Sequence, residues 1–195
     1  MVPRSAARPL ALAAVVLTAI AVLMALWAAV MGEEAPFLGP VLAAGHLGEL
    51  AAAVAVVACG AAGRGALTAV GLVVTALGEL GLATAEITNM SAPDTAQPIY
   101  AVAPILSGIG MVVLGAAVLR ARVWEGALRA LPLLVGLWML VVTIPVIVAT
   151  GGPPALLPAL ALAVWDLLWL GTALGVLATV RAATPRPTTT VQRLG

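Results

Sequence analysis

Six apolar stretches dominate the chain, at 10–31, 41–62, 66–87, 99–119, 127–150 and 155–180. Each holds about 20 residues or more, the length with which an α-helix rising 1.5 Å per residue crosses roughly 30 Å of hydrocarbon. Lipid offers no partner to a backbone N–H or C=O, so a segment of this kind satisfies both within itself, as a helix. A transmembrane β-barrel would need alternating segments of about 10 residues, and none of these stretches alternates with period two. The expected fold is all-α: a polytopic membrane protein whose residues 1–180 form one bundle of six transmembrane helices in contact with the lipid bilayer.

Composition excludes the soluble alternatives. Charged residues make up 9% of the 195 and apolar ones 63%, against roughly 25% and 45–50% in soluble domains. So little charge builds neither a water-facing surface nor a nucleic-acid interface. A single cysteine, Cys59, allows no internal disulfide. All nine basic residues are Arg; without Lys no retinal or pyridoxal Schiff base forms, and with one His a bis-His haem within the chain is excluded. The Arg, Ala, Gly and Val usage reads as a GC-rich, bacterial coding bias.

Turn-forming clusters separate the stretches: 32–36, Gly60 to Gly65 around Arg64, Asn89 to Asp94, 120–126 and 150–154. The third is expected to open the longest internal loop. Connections this short make neighbouring helices antiparallel. The first stretch exceeds the 7–15 residues of a signal-peptide core and is expected to be retained as a helix. The tail 181–195, with Pro185, Pro187 and three consecutive Thr, is expected to be disordered.

Six spans put both termini on one face, and every Arg then falls there: Arg4, Arg8, Arg64, Arg120, Arg122, Arg129, Arg181, Arg186 and Arg193. The positive-inside rule makes that face cytoplasmic, in a multi-pass protein of the cell membrane, with Glu33, Glu34 and Asp94 outside. Trp27 and Tyr100 near the outer boundary and Trp124 near the inner one read as interfacial anchors. Pro104, Pro132, Pro145 and Pro158 read as tolerated kinks or as broken helices lining a cavity.

Chemistry is confined to ionisable residues inside the stretches: His46, Glu49, Glu79, Glu86 and Asp166. An acid at a helix centre costs roughly 2.5–3.5 kcal/mol, which cancels most of the about −3 to −5 kcal/mol that the Leu, Val and Ile residues of 66–87 contribute. That stretch therefore needs partners. His46 and Glu49 share a face at i, i+3, and Glu79 and Glu86 share another with Thr75. By helical rise His46 lies about 7 Å, Glu49 and Glu79 about 12 Å and Asp166 about 16 Å from the outer boundary, with Asp166 placed below the others.

Several uses of this group remain open. Hydrogen bonds between helices would lock the packing. Intramembrane acids also mark proton or cation paths. His46, Glu49 and Glu79 offer a weak ligand set for zinc, manganese or iron. Trp165 and Trp169, flanking Asp166, suit a quinone-like ring, and haem or lipid head-group sites stay open as well. No cofactor is assigned. Gly48, Gly81, Gly171 and Gly175 mark helix interfaces, the last two as a GxxxG pair, within the chain or in a homo-oligomer. No P-loop, G-x-S-x-G, H-E-x-x-H or C-x-x-C is present, and no catalytic residue is assigned. The expectation is a non-enzymatic membrane protein that uses the cluster for packing or for proton or cation handling. The alternatives are a subunit or sensor docking a membrane partner, or a small quinone- or metal-dependent oxidoreductase.

Overall fold

The computed structural model describes residues 4–31, 37–153 and 155–182. Five continuous α-helices and one composite helix make up the fold: α1 (Ala7–Met31), α2 (Leu38–Ala58), α3 (Ala66–Asn89), α4 (Pro93–Ala121), the composite α5 (Gly126–Thr150) and α6 (Leu156–Ala182). All six are long and apolar enough to cross a membrane. Glu33, Glu34, Arg186, Arg193 and the tail from 183 onward lie outside the described residues, as does the side chain of Arg4.

The bundle is built inside out relative to a soluble protein. Large apolar side chains such as Val16, Leu23, Val73, Leu77, Val141 and Leu167 face outward, while Ala7, Ala11, Ala14, Ala52, Ala53 and Ala55 are buried. Contiguous apolar surface of this extent suits lipid and not water, and small residues at the centre let helices approach without a large core. Two of the buried hydroxyls stay within their own helix: Thr18 donates to the Ala14 carbonyl at 2.6 Å and Thr172 to that of Leu168 at 2.9 Å.

The helices follow one another around a closed ring, α6 returning to pack along α1, with α2 also reaching α6 across it. The α3–α4 pair is the most extensive. Glycine sets its spacing: a Cβ on Gly78 would overlap the backbone of Ser107, one on Gly71 would lie 2.6 Å from Leu114 N, and one on Gly110 would overlap the backbone of Thr75. As the α3 number rises the α4 number falls, so the two run antiparallel. Gly115 against Leu133 and Gly136 against Val112 repeat the arrangement between α4 and α5.

Two boundaries differ from the sequence reading because proline opens helices as well as closing them. Helix α2 starts at Leu38, with Pro40 inside its first turn, and stops at Ala58 before Gly60 and Gly63, both at positive φ. Pro93 is the first residue of α4, where Asp94 meets the positive end of the helix dipole. The loop expected to be the longest is thereby reduced to residues 90–92. Helix α5 opens with a 3-10 turn at Gly126–Ala130, and a π-helical turn, Met139–Thr143, interrupts it just before Pro145. That proline has no N–H to donate and its ring crowds the carbonyl four residues back, so the ladder widens there.

Trp124 is not an interfacial anchor. It is 3% exposed, with its ring edge against Gly175. Gly175 and Gly171 of the GxxxG pair pack against the side chains of Trp124, Leu128 and Leu131 and not against another backbone. Gly48 meets Leu17 of α1, and Gly81 meets Ala103 of α4.

Candidate functional site

Helix α2 brings His46 and Glu49 to the same face because three residues advance nearly one turn. His46 Nδ1 lies 2.8 Å from Glu49 Oε2. Across the antiparallel contact with α3, the same nitrogen lies 3.2 Å from Glu79 Oε2. One ligand atom from each of the three residues lies within 4.8 Å of the others. Glu49 and Glu79 are buried and His46 is nearly so. The other oxygen of Glu79, Oε1, accepts a hydrogen bond from Ser107 Oγ of α4. Three helices thus meet through one chain of polar atoms, running Glu49, His46, Glu79, Ser107.

Ser107 reaches Glu79 because Gly78, the neighbour of Glu79, removes the side chain that would hold α4 away. The sequence reading missed Ser107. A serine in the middle of a span was the available signal, and the heptad spacing Gly71/Gly78 was the signal for the close approach of α4 to α3.

Asp166 of α6 faces the interior, 7% exposed. It interacts with both Glu49 and His46. Measured from the observed helix ends, Glu49, Glu79 and Asp166 all lie about 15–17 Å in, and His46 about 12 Å. Asp166 is therefore level with the two glutamates and not below them. The earlier start of α2 lowers Glu49, and the later end of α3 lowers Glu79. Glu86, about 4–5 Å from the end of α3, lines the approach to the cluster.

That approach is a cavity of about 480 Å³. Its mouth is set by Gly39 of α2, Asn89 and Met90 at the end of α3, and Gly151 to Pro153 between α5 and α6. All belong to the end of the bundle opposite the Arg residues, the Arg-poor end. Its walls include Gln97, Tyr100, Pro104 and Met139, and it reaches His46, Glu49, Trp165 and Asp166. Tyr100 thus lines the cavity. Met139 belongs to the π-helical turn, so the irregular part of α5 borders the cavity, and Pro104 borders it from α4.

Trp165 is 2% exposed, with its ring centroid 6.1 Å from that of His46. Trp169 meets it edge to face at 6.2 Å. The Nε1–H groups of both indoles, together with Thr75 Oγ1 and Thr143 Oγ1, have no hydrogen-bond partner among the described residues.

No protein family matches the chain, and neither a curated protein nor a solved structure does. The functional reading rests on this geometry.

Proposed function

We propose that the protein handles protons or small cations, taking them through the cavity at the Arg-poor end to the His46–Glu49–Glu79 cluster. The observation that carries this is the cavity itself: it reaches Glu49, His46 and Asp166. His46, 13% exposed, is the member of the cluster most open to it, with Glu49 and Glu79 buried behind. A proton arriving at Glu49 has His46 Nδ1 2.8 Å away and Glu79 3.2 Å beyond that nitrogen, distances over which protons transfer along hydrogen bonds. Thr75, one turn from Glu79 toward the Arg-rich end and without a partner for its hydroxyl, would extend the chain. The Arg asymmetry supports a cytoplasmic Arg-rich end, so the cavity would open to the outside of a bacterial cell membrane.

The test is proton or cation uptake into liposomes carrying the purified protein and an internal pH-sensitive dye. Uptake in the wild type, lost in Glu49→Gln with the protein still folded, is the expected result. A second reading, packing alone, is favoured by the Ser107–Glu79–His46 chain that ties α4, α3 and α2 together. Absent uptake with a large loss of thermal stability in Glu79→Gln would select it.

A further inference from the structure

We infer that the cluster is a binding site for one divalent transition-metal ion, held by His46 Nδ1, Glu49 Oε2 and Glu79 Oε2, with its open side toward the cavity. This deepens the cation-handling reading and rests on it.

The donor set is the first argument. One imidazole nitrogen and two carboxylate oxygens suit zinc, manganese or ferrous iron. Spacing is the second. Ligand atoms bound at about 2.0–2.2 Å in a tetrahedral or octahedral shell stand about 2.8–3.6 Å apart. His46 Nδ1 stands 2.8 Å from Glu49 Oε2 and 3.2 Å from Glu79 Oε2, so two edges of the coordination polyhedron are nearly at their final length. A metal would enter with small side-chain shifts, displacing the hydrogen that the nitrogen now shares with the two oxygens.

Charge is the third argument. Two carboxylates and a neutral imidazole around a dication sum to zero, the arrangement hydrocarbon tolerates best. The chain has no Lys, and the Arg residues among those described stand at or near helix ends, so among the described residues no fixed cation at the cluster supplies that balance.

Support beyond the ligands comes from α4 and α6. Ser107 holds Glu79 Oε1 and leaves Oε2 turned to the site, as the partners of metal-binding carboxylates do. On the cavity side stands Trp165, whose buried Nε1–H has no acceptor among the described residues. A water or hydroxide on the open metal position would accept from it. Asp166 borders the same space, where it can take the proton of that water. Three protein ligands and an open position make a site that loads and unloads, unlike a closed structural one.

Elemental analysis of the full-length protein tests this after loading with Zn²⁺ or Mn²⁺ in mild detergent and desalting, with calorimetry for affinity. One metal per chain is expected in the wild type and in Asp94→Asn, an exposed acid at the same end of the bundle. His46→Gln and Glu79→Gln should fall to background. Ser107→Ala keeps all three ligands and should bind about 10–100-fold more weakly. It keeps the test decisive if the ligand variants fail to fold. Binding in the wild type should also release protons and raise Tm. Metal held equally by wild type and a His46/Glu49/Glu79 triple variant would overturn the inference, as would no metal in the folded wild type. If no metal binds but Glu49-dependent proton uptake persists, the metal site fails and the broader reading stands. If neither is seen, both fail.

Discussion

Asp166 and Ser107 show how much a single polar side chain costs and contributes in a bundle with so few of them. An amide has the donor and acceptor capacity of a protonated carboxyl but does not titrate. Asp166→Asn is therefore expected to keep the thermal stability in detergent and to abolish proton uptake into liposomes; retained uptake would remove Asp166 from the path. Asp166→Leu separates packing from chemistry further. One hydrogen bond between membrane helices is worth about 0.6 kcal/mol on average, so Leu should shift the melt little, or upward if it fills space beside Trp165. Ser107→Ala removes the donor to a buried carboxyl and should lower stability by about 1 kcal/mol, read in the same melts.

Helix pairs are set by where glycine stands and not by how many glycines there are. Gly78→Ala would drive a methyl into the Ser107 backbone and should destabilise by about 1–3 kcal/mol, while pulling Ser107 away from Glu79. Gly171→Ala puts its methyl 3.4 Å from the Leu131 side chain, an ordinary contact, and should leave the melt within about 0.5 kcal/mol of wild type. Equal effects at both positions would contradict the assigned interfaces. The GxxxG pair was the more conspicuous signal in the chain, yet the close backbone approaches lie at Gly78 of α3 and at Gly110 and Gly115 of α4. Chance supplies four-residue spacings freely where Ala and Gly abound, so the motif did not carry the packing.

At the scale of the whole molecule, the distribution of Arg predicts the topology. Reporter fusions after Arg64 and Arg122 are expected to read cytoplasmic and fusions at Asp94 and Gly152 external; one reversed connection would sink the assigned orientation. The span count and helical class were legible because lipid imposes them segment by segment: each stretch must be apolar, long enough and internally hydrogen-bonded, whatever its neighbours do. The meeting of His46, Glu49 and Glu79 was legible for a related reason, since i, i+3 spacing and a short antiparallel connection are local facts. Helix ends were less so, because Pro40 and Pro93 mark a first turn as readily as a break. The level of Asp166, the contact of Ser107 with Glu79, the burial of Trp124 and the cavity that reaches the acids depend on which faces of α4, α5 and α6 turn inward. In a chain whose faces are nearly all apolar, hydropathy does not distinguish a lipid-facing side from a buried one. Only the close fit of glycine against backbone in three dimensions decides it.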